Sequence, residues 1–326
     1  MEIIMRATYQ IRSLFFRLGV GFAACLAAAF AQPYGYVSNT MGNNVSVVNR
    51  ATNTVSATIS ISGAGLTGLA VTPNGSYVYV AEQGKNSVAV ISTASNTVIA
   101  TIPVGSSPVQ VAITPNGTHA YVANQQSNNV SVISTATNTV VATVAVGSKP
   151  VGIAATLDGS KVLVTNLLSS TISVISTATN AVSATWTALS GPNGMAISPD
   201  GQHVWVANQY ANSVTEYSLS SGSIVETITG FTSPNSAAIT PNGSQLYVTN
   251  ANISSLYAVN TSTLQITTKI AVGSLPTAVA VSSDGTTAYV TNAYGYSLSE
   301  INTSTNTVKE TIAKVGIYPD SVALYH

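Results

Sequence analysis

Charged residues are scarce in this sequence. Lysine plus arginine number 10 and aspartate plus glutamate number 10 among 326 residues, so 6% of the chain is charged, against about 25% in a typical soluble protein. Hydrophobic residues make up 45% of the chain, which is too many for a disordered polypeptide. The formal net charge is 0, so there is no basic surface to neutralise phosphates, and we expect no nucleic-acid partner.

Cysteine and histidine are also scarce. The single cysteine, Cys25, excludes an intrachain disulfide and a Cys-x-x-Cys-His haem-attachment motif. The histidines are His119, His203 and His326. His119 and His203 each come two residues after a glycine, and we predict exposed turn positions for both. Because a metal centre needs several ligands that converge, the sequence predicts no metal and no cofactor.

The first 31 residues differ from the rest. Three arginines precede the apolar run 18–30, and small residues follow at Ala29 and Ala31. This arrangement predicts a secretory signal peptide that is cleaved before Gln32. The apolar run is shorter than the roughly 20 residues of a membrane span, so we expect no stable span after cleavage; a retained anchor is the alternative. Residues 32–326 would carry seven basic and nine acidic residues, a formal charge of −2.

A four-letter pattern recurs along the remaining chain. The pattern is YVTN at residues 247–250 and 289–292, with variants beginning at residues 36, 79, 121, 163 and 205. The first interval is 43 residues and the other five are 42. A strict period of this length is typical of propellers and solenoids.

One repeat contains four strand patterns. In residues 108–147, short runs rich in valine, isoleucine and tyrosine are separated by PNG, QQSN and TATN. Proline, asparagine and glycine favour tight turns, so each repeat is predicted to form a small antiparallel sheet. Such a sheet buries both faces only between neighbours, which favours a β-propeller over an open array of hairpins.

The two ends of the repeat region are complementary. Residues 32–326 number 295, close to seven periods of 42. The region begins with a second strand at residues 34–39 and ends with a first strand at residues 319–326. We therefore predict an all-β, seven-bladed propeller of four-stranded blades, a single domain over 32–326. Pairing of the C-terminal strand with the N-terminal blade would close the ring and cover an exposed sheet edge.

The phased motifs YVxN, NNVSVIST and VAITPNG resemble the YVTN-family β-propeller repeats of secreted and cell-surface proteins in bacteria and archaea. The resemblance covers nearly all of residues 32–326. It implies a seven-bladed propeller and export to the periplasm, cell surface or medium, but no defined chemistry.

Within the motif, Tyr and Val are predicted to face the two adjacent blades in turn. The Asn at the strand end is predicted to bond the backbone of the following loop. A ring of these asparagines that binds a ligand is the alternative, and Glu82 interrupts that ring.

The loops between second and third strands share one face with the loops that lead into first strands. Where repeats differ at a shared position, structure alone does not dictate the residue. Tyrosines and amides there suit a sugar or peptide surface; unconstrained drift of loop sequences is the alternative explanation of the variation. The candidate ligand-binding residues are Glu82, Lys85, Gln125, Gln126, Tyr210, Tyr294, Tyr296 and Asp320.

The function predicted from these features is a non-enzymatic, exported and monomeric scaffold that binds a protein or a glycan at one propeller face. The alternative is a propeller hydrolase or lyase of the lactonase or antibiotic-lyase type, with a metal-assisted site at the channel mouth. Such sites are expected to gather Glu, His and Arg, and residues 32–326 contain one arginine, Arg50. We therefore predict no catalytic residue.

Overall fold

The computed structural model describes residues 34–61, 63 and 65–325. The predicted signal peptide, residues 1–31, and His326 lie outside the described residues. Within them, 28 strands form seven four-stranded antiparallel sheets, and two short 3-10 helices span Gln83–Lys85 and Ala251–Ile253. No helix in this part of the chain has the length and apolar character to cross a membrane.

The blades are numbered from the N-terminus, and each follows the chain from its inner to its outer strand. Blade 1 contains β1 (Tyr34–Asn39), β2 (Asn44–Asn49) and β3 (Thr54–Ser60), and blade 2 contains β4 (Leu66–Val71), β5 (Tyr77–Glu82), β6 (Ser87–Ser92) and β7 (Thr97–Pro103). Blade 3 contains β8 (Pro108–Ile113), β9 (His119–Asn124), β10 (Asn129–Ser134) and β11 (Thr139–Ala145). Blade 4 contains β12 (Pro150–Ala155), β13 (Lys161–Asn166), β14 (Thr171–Ser176) and β15 (Ala181–Thr187).

Blade 5 contains β16 (Pro192–Ile197), β17 (His203–Asn208), β18 (Ser213–Ser218) and β19 (Ile224–Thr229). Blade 6 contains β20 (Pro234–Ile239), β21 (Gln245–Asn250), β22 (Ser255–Asn260) and β23 (Gln265–Ala271). Blade 7 contains β24 (Pro276–Val281), β25 (Thr287–Asn292), β26 (Ser297–Asn302) and β27 (Thr307–Ala313), and β28 (Pro319–Leu324) completes blade 1 as its innermost strand.

Ring closure is confirmed. β28 pairs antiparallel with β1, with Ala323 opposite Tyr36 and Val322 opposite Val37. The seven-bladed, all-β architecture predicted from the period is therefore correct. β28 pairs with β1 and covers the edge that β1 would otherwise expose.

The hydrophobic core lies between the blades. Tyr121 packs with Val132 and Val164 between blades 3 and 4, whereas the next residue, Val122, packs with Tyr79 between blades 2 and 3. Successive strand residues point to opposite faces of a sheet, so the predicted alternation of Tyr and Val toward the two neighbours is confirmed.

The motif tyrosine also forms a hydrogen bond to the next blade. The hydroxyl of Tyr121 donates to Asn180 Oδ1 at 2.7 Å, and Tyr79 and Tyr247 bond Asn138 and Asn306 in the same way. Each acceptor ends a third-to-fourth-strand turn with positive φ. Where Leu163 and Trp205 replace tyrosine, the equivalent turn residues are Gly222 and Leu264, so donor and acceptor are lost together.

The motif asparagine is fully buried. Asn124 Nδ2 donates to Asn129 Oδ1 at 2.8 Å and to Ser131 Oγ at 2.9 Å, both on the third strand. The prediction that this amide bonds the backbone of the following loop is therefore wrong: the third-strand side chains lie closer than the loop. The six asparagines at this position have a relative exposure of 0%, which leaves no amide surface for a ligand ring.

Candidate binding site at the channel mouth

Two sets of loops form one face of the propeller, the loop face. They are the second-to-third-strand loops and the loops that lead into the first strands. The two sets bond to each other, as Gln125 N does to Ser107 O at 2.8 Å and Leu167 N does to Lys149 O at 2.9 Å. The variable loops therefore rest on a shared backbone frame around the propeller axis.

The axial channel opens on the loop face in a cavity of about 270 Å³. The start of every innermost strand lines this channel mouth. The residue after the strand's first position is, from blade 1 to blade 7, Asp320, Thr67, Val109, Val151, Asn193, Asn235 and Thr277. One arc of the ring is apolar, and the remainder carries amides, hydroxyls and one carboxylate.

Asp320 is the acidic residue of the mouth. No lysine, arginine or histidine is among the described residues that line it. Burial raises the pKa of Asp320 to about 6, and no hydrogen bond from the described residues opposes that shift. Asp320 is half-buried and lines the lumen, and its carboxylate accepts no hydrogen bond from the described residues.

The other polar residues of the mouth direct their donors to one another and to the backbone, not to Asp320. Asn193 Nδ2 donates to Asn235 Oδ1 at 2.6 Å, and Asn235 Nδ2 donates to the carbonyl of Thr277 at 2.8 Å. Thr67 Oγ1 donates to the carbonyl of Pro108 at 3.2 Å. These bonds tie adjacent blades together and leave oxygen acceptors facing the lumen.

A cluster of tyrosines lies beside the mouth, on the loops of blades 7 and 1. This aromatic patch comprises Tyr294, Tyr296 and Tyr318. The rings of Tyr294 and Tyr318 meet edge to face, with centroids 5.5 Å apart. Burial and then the nearby charge of Asp320 raise the pKa of Tyr318. The patch and the carboxylate therefore belong to one surface.

Two tyrosines of the patch adopt an unfavourable backbone conformation. Tyr296 has φ 49° and Tyr318 has φ 61°, a region that disfavours bulky residues. At the loop position of Tyr296, other blades use Asn or Ser, such as Asn128 and Asn212, also with positive φ. Positive φ recurs at both loop positions in all seven blades, as at Ser254 and Lys149, so this conformation is a property of the propeller loops.

The remaining predicted residues are spread around the loop face. Tyr210 is 54% exposed and packs on Gly191. Gln125 lines the mouth, whereas Gln126 and Lys85 are exposed on their loops. Glu82 is 1% exposed, accepts a bond from Ser87 Oγ at 2.6 Å and lies 3.9 Å from Lys85 Nζ. It is absent from the described lining of the mouth, so Glu82 and Asp320 form no pair there.

The opposite face carries a larger cavity, of about 600 Å³, between blades 4 and 5. His203 lines it and lies 3.2 Å from Glu216, whose pKa burial raises. Hydrogen bonds from Thr156 and Ser160 lower the pKa of Asp158 to about 2 and hold it in its turn. Among the described residues, no group of three or more His, Cys, Asp or Glu side chains could hold a metal ion.

The histidines differ from the sequence prediction. His119 and His203 begin strands β9 and β17 and are half-buried, not exposed in turns. Both lie at the end of their strands remote from the loop face, so neither can meet Asp320. The second strand begins at the histidine itself, two residues after the turn glycine.

The sequence analysis missed most of the mouth, including Asn193, Asn235 and Thr277. The available signal was the residue after the first position of each first strand, because it varies from blade to blade, whereas the first position is proline in every blade except blade 2, which has Leu66. Of the seven residues at this position, only Asp320 was predicted as a candidate site residue.

Family models match two parts of the chain. A model described as a YNCE-like beta-propeller matches residues 111–291, and one described as a lactonase, 7-bladed beta-propeller, matches residues 28–156. No curated protein matches the chain.

Several solved structures share the fold. A functionally unknown protein from Desulfotomaculum acetoxidans has a TM-score of 0.80 and 19% identity, over 90% of this chain and 99% of that one. Hydrazine synthase from Kuenenia stuttgartiensis has a TM-score of 0.69 and 21% identity, over 73% and 77%. Dihydro-heme d1 dehydrogenase NirN in complex with DHE has a TM-score of 0.65 and 14% identity, over 86% and 63%. These likenesses establish the propeller fold alone.

Proposed function

The chain belongs to the YNCE-like β-propeller family, and we propose that it uses this fold as an exported, non-enzymatic scaffold that binds a protein or carbohydrate ligand on its loop face. The observation that carries the proposal is the aromatic patch beside the channel mouth. Export rests on the predicted signal peptide in residues 1–31.

Exposure supports the choice of face. Tyr294 is 60% exposed and Tyr296 is 48% exposed, although tyrosine has enough apolar surface to favour burial. Met41 and Ile317, 62% and 55% exposed, extend the same surface. Exposed aromatic and apolar side chains that cluster on one rigid face are typical of a binding surface.

The proposal is tested with a glycan array and a random-peptide display library as probes. The loop-face variant combines Tyr210→Ser, Tyr294→Ser and Tyr296→Asn, the last restoring the residue of sibling loops. We expect a ligand from one library whose affinity falls at least about 10-fold in this variant, since each stacked ring contributes about 0.5–1.5 kcal/mol.

The matched control carries Leu157→Ser and Tyr77→Ser on the opposite face, where these side chains are 53% and 37% exposed. Its affinity should equal that of the wild type. A failure to find any ligand, or a ligand lost only in the control variant, contradicts the proposal.

A second candidate function is favoured by the lactonase match over residues 28–156. In this reading, Asp320 acts as a general base, because its pKa of about 6 is near the optimum for proton transfer at neutral pH. A panel of small lactones tests it: Asp320→Asn should reduce hydrolysis at least about 100-fold. Hydrolysis that is absent, or unchanged in the variant, excludes this function.

A further inference from the structure

We propose that the channel mouth binds a primary ammonium group carried on a short alkyl chain, with Asp320 as its charge partner. The inference rests on the proposed function, because it names the chemistry selected at the centre of the binding face.

The first support is an excess of acceptors in the lumen. Asp320 offers two carboxylate oxygens with no donor. The donor bonds of Asn193 to Gln209 Oε1 and Asn235 Oδ1 leave its own Oδ1 available. An ammonium group has three donors and no acceptor, so it can satisfy this ring without displacing any bond between blades.

The second support is the apolar arc across the ring. Val109 and Val151 line the mouth from blades 3 and 4, and Val151 stands across the axis from Asp320. Methylene groups pack against valine while the charged end of the same molecule reaches an acid, as lysine side chains do at protein surfaces. The volume of about 270 Å³ is small for a drug-sized ligand.

A divalent cation fits this site less well. Calcium takes six to eight oxygen ligands, several of them from carboxylates, and the described lining of the mouth offers one carboxylate. A single carboxylate with neutral acceptors matches a single positive charge.

The pH dependence of binding would depend on Asp320. The titratable side chains on the strands packed against β28 are Tyr34, Tyr36 and Tyr289, and Tyr294 and Tyr318 lie in adjacent loops. Tyrosines and alkylamines both keep their protons between pH 4 and about 8. Affinity should therefore fall as the pH drops through about 6, because Asp320 then loses its charge.

The test measures binding of n-butylammonium by calorimetric titration at pH 7.5, with n-butanol as the neutral probe. We expect the purified full-length protein to bind the ammonium and not the alcohol. Asp320→Asn should weaken binding at least about 10-fold, because hydrogen bonds to charged groups are the stronger ones. Asp284→Asn, on the opposite face, should leave affinity unchanged.

A lysine-containing tripeptide with blocked ends, compared with its glycine counterpart, distinguishes the source of the group. Binding of the lysine peptide indicates a partner's side chain, and binding of n-butylammonium alone indicates a small amine. Absence of both, equal affinity in Asp320→Asn, affinity that does not fall at pH 5, or tight Ca²⁺ binding in place of amines overturns the inference. The loop-face variant should keep its amine affinity, so the two proposals fail separately.

Discussion

At the residue scale, the blades are joined by matched pairs of side chains. Tyr79, Tyr121 and Tyr247 each donate to an asparagine of the next blade. In blade 4, Leu163 replaces the tyrosine and Gly222 replaces its asparagine partner. In blade 5, Trp205 replaces the tyrosine, and Leu264 replaces the asparagine and packs in the same hydrophobic cluster as Trp205. Comparison of the repeats thus identifies pairs of positions whose side chains contact each other between blades.

The pairing predicts a measurable coupling between Tyr121 and Asn180. Tyr121→Phe should lower the free energy of unfolding by about 1 kcal/mol, because it leaves the Asn180 oxygen without its donor. The double variant with Asn180→Gly should lose less than the sum of the single variants, by about 1 kcal/mol in urea unfolding. Tyr77→Phe, at a partly exposed position, serves as the control and should show no coupling to Asn180.

The partly buried charge of Asp320 should lower stability at neutral pH. Its folded-state pKa, about 6, lies above the ordinary value of 3.8, so its contribution to stability is most favourable below pH 4 and is lost as the pH rises through 6. Asp320→Asn should therefore stabilise the protein at pH 8, by up to roughly 3 kcal/mol, and have little effect at pH 4.

Chemical denaturation at both pH values checks this prediction. Asp284→Asn is the control: Asp284 stands where sibling blades have Asn74, Asn116 and Asn242, and asparagine accepts the same turn bonds, as Asn242 does. A stability of Asp320→Asn that stays at the wild-type value at pH 8 would show that the carboxylate is not desolvated.

At the element scale, the loops that lead into the first strands of blades 1, 3, 4 and 7 pack against the buried asparagine at the end of the second strand. A Cβ on Gly105 would lie 2.5 Å from Ser127 Oγ and 2.7 Å from Asn124 Cγ. Glycine is therefore required in the VGS segments at residues 104–106, 146–148 and 272–274 because the loop backbone lies against the side-chain amide of the asparagine. The turn conformation does not require it.

Gly105→Ala should destabilise the protein by about 1–3 kcal/mol, because the surrounding backbone must move. Ser106→Ala, an exposed change in the same loop, should have little effect. Thermal unfolding compares the two variants. Equal melting temperatures would contradict the prediction, because they would mean that the loop accommodates the added methyl group without loss of stability.

The strand order, turn chemistry and core alternation were predictable from sequence because each follows a local period. The composition of the channel mouth was not. In blades 2 to 7, the pairing of first and second strands shifts register after the first residue, as between Pro108 and Gln110. That irregularity lets both Val109 and Gln110 line the mouth, which simple alternation forbids. Glu82 was misleading for a related reason: the entry loop of its blade covers the end of β5, as Gln83 N bonds Gly65 O.

At the scale of the whole molecule, one strand has two roles. β28 supplies the innermost strand of blade 1, with Val322 and Leu324 in the core between blades 7 and 1. It also carries Asp320 into the mouth. Arg50 reinforces the junction, with its guanidinium 5.7 Å from the centre of the Tyr289 ring. Ring closure and the acidic character of the channel mouth therefore depend on the same segment.

The most direct test of this account is calorimetric unfolding of the protein with residues 319–326 deleted. The lost strand contributes about five backbone bonds and two buried apolar side chains, roughly 9 kcal/mol, against a typical domain stability of about 5–15 kcal/mol. We predict that the truncated protein shows no single cooperative transition. A sharp transition at the wild-type melting temperature would contradict the account.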